Sequence, residues 1–210
     1  MRTTIAVITD LSAYVPRLTT PSNITVRNLR SNMITGHVFI ATSLDGFIAR
    51  KDGAIDWLLS RDDPNENHGY QDFIKDIDGL VMGRGSFEGI AASEPWPYDR
   101  PVVVLSKTLA SSPVPSHLTD RVRFVDMTPK AAMEMLAMEG WWRVYVDGGQ
   151  IVQSFIRERL IADMVVTQIP VLIGEGRRLF GSVDSDIPLI HVMTKAFPSG
   201  LVQSVYRIET

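Results

Sequence analysis

The chain has 210 residues, no cysteine, 45% hydrophobic residues and a formal net charge of −3. This length suffices for one well-buried domain, and the weak negative charge argues against a nucleic-acid-binding protein. The missing cysteines exclude thiol nucleophiles, disulfides and cysteine-based metal sites, and no apolar stretch reaches the roughly 20 residues of a membrane span. We therefore expect a cytoplasmic protein with no membrane segment and no metal site.

Residues 1–32 are the least regular part of the sequence. They mix Thr, Asn, Arg and Pro around one apolar patch, Ile5 to Ile8, which Asp10 ends before it reaches the length of a signal-peptide core. A strong strand pattern follows Met33. We predict a functional domain over residues 33–210, preceded by an extension over 1–32 that is a tail, a vector-derived segment or an arm on a partner subunit.

From Met33 onwards, patterns of strands and helices alternate. Tyr70, Phe73, Ile74 and Ile77 recur at the spacing of an amphipathic helix. Thr128-Pro129 predicts an N-cap and a proline at the first position of a helix that runs to about Met138. The other predicted helices are 86–92 and 150–159, and the predicted strands are 37–42, 79–83, 101–105, 122–125, 143–146, 163–171, 188–196 and 201–208.

The last two predicted strands flank a turn at Pro198-Ser199-Gly200. Alternating strands and helices that end in such a hairpin predict a mostly parallel α/β sheet with an antiparallel edge. Apolar residues occur on both faces of this hairpin, and an exposed apolar edge strand is usually covered. We therefore predict a homodimer, unless the hairpin lies in the middle of the sheet.

Three strand ends carry residues that suit phosphate groups. Gly148-Gly149 stands between a strand and a helix, Gly83-Arg84-Gly85-Ser86 follows another strand, and Ser106-Lys107 follows a third. If these strands are parallel, their carboxyl ends meet at one edge, where helix N-termini and glycine backbones bind anions. This arrangement favours a ligand with several phosphates, and a dinucleotide is the natural candidate.

The side chains at these turns favour NADPH over NADH. An NAD site usually places an acid on the ribose 2′-hydroxyl, whereas a 2′-phosphate requires a cation and hydroxyl groups. Arg84, Ser106 and Lys107 are residues of the second kind. Asp147 is an acid at a strand end, and we interpret it as a carboxylate at a helix N-terminus rather than as a ribose ligand.

Taken in order, these motifs resemble the dihydrofolate reductase superfamily over about residues 37–208. The branch with the greatest similarity contains the C-terminal reductase domain of the bifunctional riboflavin-biosynthesis deaminase–reductase. The segments that carry the resemblance are 39–49, Asp52-Gly53, Asp56-Trp57-Leu58, 82–88, 104–107, 146–149 and 170–180. The resemblance implies a dihydrofolate reductase-like, three-layer α/β/α fold with a mostly parallel mixed sheet and an antiparallel C-terminal edge.

The resemblance also implies roles for individual residues. Gly83, Arg84, Gly85 and Ser86, together with Leu105, Ser106 and Lys107, would hold the pyrophosphate and the 2′-phosphate of NADPH. Gly148 and Gly149 would lie against the pyrophosphate and the nicotinamide ribose, next to the helix start at Gln150, Ile151 and Val152. Ala41 and Ile48 would contact the carboxamide, and residues 43–57 would form a loop over the site that places Trp57 near the substrate.

The proton donor of the superfamily has no unique counterpart here. Counting from Trp57 points to Asp62 or Asp63, and counting back from Gly83 points to Glu66-Asn67. His68 is a further candidate. Trp57, Glu66 and Asp62 are therefore the predicted catalytic residues of a reductase that acts on a pterin-like, ribosylaminopyrimidine-like or carbonyl substrate. It would resemble dihydrofolate reductase or 5-amino-6-(5-phosphoribosylamino)uracil reductase; the alternative is a non-catalytic module that binds NADPH or a folate-like ligand.

Overall fold

The computed structural model describes residues 33–61, 63 and 65–209, and strands and helices alternate from Thr35 to Ile208. The strands are β1 Thr35–Ser43, β2 Phe47–Ala49, β3 Gly79–Gly83, β4 Val102–Leu105, β5 Val122–Val125, β6 Arg143–Asp147, β7 Ile161–Ile169, β8 Arg177–Arg178, β9 Leu189–Ala196 and β10 Val202–Ile208. The helices are α1 Asp56–Leu59, α2 Tyr70–Lys75, α3 Arg84–Ile90, α4 Pro129–Met138 and α5 Gly149–Arg157, with a 3₁₀ turn at Ser116–Leu118.

Eight strands form the central sheet in the order β5-β4-β3-β6-β1-β7-β10-β9. The first six of these are parallel; at one edge β10 pairs antiparallel with β7, and β9 pairs antiparallel with β10. The predicted mostly parallel sheet with an antiparallel C-terminal edge is confirmed. Because β1, β3, β4 and β6 run in the same direction, their carboxyl ends lie along one edge of the sheet.

Helices cover both faces of the parallel part. Alternate residues of one strand point to opposite faces, so Val81 packs with α4 and α5 while Leu80 and Met82 pack with α2 and α3. Burial of each large apolar side chain stabilises the fold by about 1.5–3 kcal/mol. The two cores on either side of the sheet make the three-layer α/β/α architecture.

Several element bounds differ from the sequence prediction, for local reasons. β7 ends at Ile169 rather than 171, because Pro170 has no N–H to continue the ladder. α2 ends at Lys75, although Ile77 is still buried in the core beneath it. α3 begins at Arg84, so Arg84 and Ser86 belong to the first turn of the helix and not to a preceding loop.

Three short elements, α1, β2 and β8, are not predicted from the sequence. β2 pairs with β8 in a separate two-stranded sheet, and each has three residues or fewer, too few to show a periodic pattern. No helix among the described residues has the length and apolarity that crossing a bilayer requires.

Candidate functional site

One large cavity opens at the carboxyl edge of the parallel strands. Its volume is about 1110 Å³, and it is lined by the ends of β1, β3, β4, β6 and β7. Ligand pockets usually have volumes of about 300–1,000 Å³. The cavity is therefore large enough for a dinucleotide and a second small molecule.

The start of α5 forms one wall of the cavity. Gly148 precedes the helix with φ of 90°, which favours glycine, and no side chain of a described residue caps the helix. Gly149, Gln150 and Ile151 line the cavity, so the free N–H groups of the first turn open onto it. Val152 does not line it: the side chain is fully buried, and its N–H donates to the Gly148 carbonyl. The open turn suits an anionic group such as a pyrophosphate.

Gly149 also has a purely structural reason to lack a side chain. A Cβ at this position would lie 2.6 Å from the backbone oxygen of Arg178 and 3.1 Å from Ile48 Cδ1. The glycine therefore lets the segment at Arg178 pack against the helix start. A side chain at position 149 would disturb this packing as well as any bound phosphate.

A guanidinium and two hydroxyl groups form a cluster at the ends of β3 and β4. Arg84 Nη1 donates to Thr108 Oγ1 over 3.3 Å, and Thr108 Oγ1 lies 3.1 Å from Ser106 Oγ. Arg84 and Ser106 line the cavity, as do Gly83, Gly85, Ser86 and Leu105. Lys107 is exposed in the turn that follows β4, and it does not line the cavity.

Asp147, at the end of β6, lies in the cavity wall next to three tyrosines. Burial raises the pKa of Asp147, while hydrogen bonds from the Gly148 N–H and the Ser86 hydroxyl oppose this rise. Burial, with a smaller contribution from Asp147, raises the pKa of Tyr70 to about 12 and also raises the pKa of Tyr98 and Tyr145 well above their ordinary value. These phenols therefore stay protonated, and Tyr145 donates its hydroxyl proton to the Phe39 carbonyl over 2.8 Å.

The segment between β1 and α1 covers the cavity. Ala41 and Ile48 line it, and so do Arg177 and Arg178 of β8, the strand that pairs with β2. Asp45 stabilises this covering segment by accepting hydrogen bonds from the Gly174 N–H, at 2.7 Å, and from Ser43 Oγ, at 2.6 Å. The hydrogen bond from the Ser43 hydroxyl is the main cause that lowers the pKa of Asp45, so the Asp45 carboxylate stays ionised at neutral pH.

The structure places two of the three predicted catalytic residues behind the cavity wall. Trp57 is buried in a cluster with Ile169, Phe197 and Leu201, and its indole nitrogen has no hydrogen-bond partner among the described residues. Glu66 is 7% exposed and does not line the cavity. The hydrogen bond from Ser199 Oγ is the main cause that lowers the pKa of Glu66. A carboxyl group with a lowered pKa is ionised, so Glu66 is better suited to accept hydrogen bonds than to donate a proton. Asp62 lies outside the described residues.

Several cavity residues received no role from sequence reasoning. They are Tyr70, Tyr98, Tyr145, Thr167, Arg61, Gln71, Arg177 and Arg178. For the last two, the sequence contained a usable signal: two adjacent arginines follow glycines at Gly174 and Gly176, in a segment with no helix or strand period. The tyrosines carried no such signal, because their pattern is that of ordinary core residues.

Known proteins resemble this chain in sequence. The profile of the RibD C-terminal domain family matches residues 35–203. The uncharacterized protein YwjB of Bacillus subtilis (strain 168) is 33% identical over 163 residues, which cover 76% of this chain and 90% of that protein.

Solved structures agree with these matches. A Shewanella sp. PV-4 protein assigned to riboflavin biosynthesis has a TM-score of 0.78 and 37% identity, covering 84% of this chain and all of that one. Dihydrofolate reductase from Enterococcus faecalis, solved with NADP(H), has a TM-score of 0.58 and 17% identity, covering 84% of this chain and 97% of that one. The latter shows the fold alone, and it confirms the dihydrofolate reductase-like architecture predicted from the sequence.

Proposed function

The chain belongs to the RibD C-terminal domain family, and from this we propose that it is an NADPH-dependent reductase of a small heterocyclic or carbonyl substrate. The observation that carries the proposal is the division of the cavity into two chemical zones. One zone combines the open first turn of α5 with the Arg84, Ser106 and Thr108 cluster. The other zone is mainly apolar and aromatic, and Phe39, Tyr70, Leu58, Ile169 and Leu201 line it.

The first zone fits the phosphates of NADPH. Helix N–H groups match a pyrophosphate, and the guanidinium with its two hydroxyl groups matches a 2′-phosphate. The dihydrofolate reductase from Enterococcus faecalis, which has the same fold, was solved with NADP(H). Ala41, Ile48, Gly83, Gly85, Ser86, Leu105, Gly148, Gly149, Gln150 and Ile151 line the same cavity and would contact the cofactor.

The second zone fits a flat ring. Phe39 and Tyr70 form an edge-to-face pair with ring centroids 5.6 Å apart, and this pair presents an apolar surface beside the glycine turns. When bound, NADPH supplies a hydride; the chain contributes by orienting the substrate ring and excluding water. Pterin-like and ribosylaminopyrimidine-like compounds have rings of suitable shape, and we place the enzyme in the cytoplasm.

A non-catalytic ligand-binding module is the second candidate. It is favoured by one observation: neither Trp57 nor Glu66 lines the cavity. The two candidates differ in turnover. We expect the purified chain to oxidise NADPH, followed by absorbance at 340 nm, with 7,8-dihydrofolate, quinonoid dihydropterin or 5-amino-6-(5-phosphoribosylamino)uracil. Tight NADPH binding without oxidation in the presence of any of these compounds would favour the binding module.

We also propose that the chain is a homodimer. All eight residues of the edge strand β9 are exposed, and they include the apolar side chains Leu189, Ile190, Val192 and Met193. The outer edge of β9 has no partner strand among the described residues. A two-fold partner would cover this edge without any additional segment of sequence.

A further inference from the structure

A buried carboxylate holds a histidine at the substrate end of the cavity. Glu66 accepts hydrogen bonds from the Ser199 N–H at 2.7 Å and from Ser199 Oγ at 2.6 Å. Its Oε2 atom also lies 3.3 Å from Nε2 of His68. Glu66 is nine-tenths buried behind the wall, whereas His68 is part of the wall itself.

His68 is held from three sides although it lies in a loop. Its ring packs edge-to-face against Phe197, with centroids 4.7 Å apart. Its carbonyl accepts a hydrogen bond from Gln203 Nε2 at 2.9 Å, and the same amide donates to Thr167 Oγ1 at 3.0 Å. These contacts attach the histidine to β7, to β10 and to the turn that precedes β10.

The hydrogen bonds determine which ring nitrogen is available. A carboxylate can only accept, so the proton between Glu66 and His68 belongs to Nε2. Nδ1 makes no hydrogen bond to a described residue, and it is not completely buried. Nδ1 is therefore the ring nitrogen that is left free to meet a molecule in the cavity, which His68 lines.

We propose that His68 is the catalytic proton donor of this enzyme and that Glu66 is the residue that positions it. This inference rests on the proposed reductase function. As the substrate carbon accepts the hydride from NADPH, the electron pair of its C=N or C=O bond moves to the heteroatom. The heteroatom takes the proton from Nδ1–H of the imidazolium, and the neutral ring then recovers a proton from solvent while NADP⁺ leaves.

The charges around His68 suit this role. Glu66 is the carboxylate that contacts the ring, with its Oε2 atom 3.3 Å from Nε2. Two cations also belong to its surroundings: Arg61 lines the same cavity, and Lys195 of β9 stacks on the Phe197 ring at 4.3 Å. β7 and β10 contribute the uncharged Thr167 and Gln203.

The test compares four variants with the unaltered chain, using whichever of the three substrates named above is reduced. His68→Gln keeps a donor towards Glu66 but has no transferable proton, so we expect kcat to fall about 10²–10⁴-fold with the Kd for NADPH unchanged. Glu66→Gln should lower kcat less, and the double variant should lose no more than His68→Gln alone. His117→Gln is the control, since His117 lies outside the cavity and contacts the Ala91 carbonyl; it should leave kcat unchanged.

Two further readouts separate catalysis from structure. The decline of kcat at high pH in the unaltered chain should disappear in His68→Gln. In the cofactor-free protein, ¹⁵N spectra of the neutral ring should show the proton of His68 on Nε2.

The outcomes distinguish the two proposals. An unaltered chain that oxidises no NADPH overturns both of them. An active chain whose His68→Gln variant keeps kcat within about threefold, or whose His68 proton is on Nδ1, overturns only the assignment of His68.

Discussion

At the scale of single residues, Arg84 has the clearest expected effect on cofactor choice. Its guanidinium lies beside two hydroxyl groups in the cavity, and its contact with Glu88 is a loose, exposed pair at 3.7 Å. A hydrogen bond to a charged group contributes about 1.5–3 kcal/mol. Arg84→Ala should therefore weaken binding of NADPH about 10–150-fold more than binding of NADH, measured by fluorescence titration.

Lys107→Ala is the matched comparison, because it removes a neighbouring cation that does not line the cavity. It should affect the two cofactors nearly equally. If Arg84→Ala weakened NADPH and NADH to the same degree, the 2′-phosphate would have to bind elsewhere.

Asp147 predicts an unusual dependence of stability on pH. Its pKa in the folded chain lies above the ordinary value of 3.8, because burial disfavours the charged form. The folded state then binds the proton more tightly, so this contribution to stability is complete below about pH 3.8 and is lost as pH rises through the folded pKa. Asp147→Asn has no proton to lose and should be more stable than the unaltered chain at pH 7.

Urea denaturation of the cofactor-free protein from pH 3.5 to 7 measures this difference. Asp120→Asn, at an exposed position outside the cavity, is the control and should leave the pH dependence unchanged. A stability gap between Asp147→Asn and the unaltered chain that did not widen with pH would contradict the prediction.

At the scale of secondary structure, the start of α4 shows how local sequence determines an element. Thr128 Oγ1 accepts a hydrogen bond from the Ala131 N–H at 3.2 Å, and Pro129 occupies the first helical position. Both features were predicted from the dipeptide. Thr128→Ala should lower the free energy of unfolding by about 0.5–2 kcal/mol, because it leaves an N–H of the first turn without its partner.

Thermal or urea unfolding checks this value. Thr119→Ala, at an exposed threonine outside α4, is the control and should change stability by less. Equal effects of the two substitutions would mean that the cap stabilises the fold no more than the exposed hydrogen bond from Thr119 Oγ1 to the Ser116 carbonyl does.

At the scale of the whole molecule, the edge of the sheet determines the expected assembly. Met193 is 51% exposed on β9, where a partner strand would cover it. We expect sedimentation at micromolar concentration to give a species of twice the chain mass. Met193→Lys should shift it towards the monomer, because a lysine on an edge strand opposes strand pairing.

Met138→Lys is the matched control for this substitution. Met138 is 84% exposed at the end of α4, away from the sheet edge, so its replacement should leave the assembly unchanged. A single species of monomer mass, independent of concentration in the unaltered chain, would refute the dimer.

Patterns among neighbouring residues were enough to predict the order of the elements other than α1, β2 and β8, the α4 cap and the three turns that line the cavity. The reason is physical: hydrophobic periodicity, capping and glycine turns depend on residues within about one helical turn of each other. The motif over residues 170–180 contains the two arginines of β8 but does not predict a role for them. Only the pairing of β8 with β2 brings them over the cavity.

Which member of each motif faces a ligand depends on packing between distant segments. Ser106 and Lys107 are adjacent, yet only Ser106 lines the cavity. The sequence predicts Glu66 as an acid. In the folded chain its carboxylate accepts a hydrogen bond from Ser199, 133 residues further along the chain, and His68 lines the cavity instead. The protonation state and the exposure of a side chain depend on the residues that pack against it in the folded chain. These residues are distant in sequence, so a local pattern does not contain them.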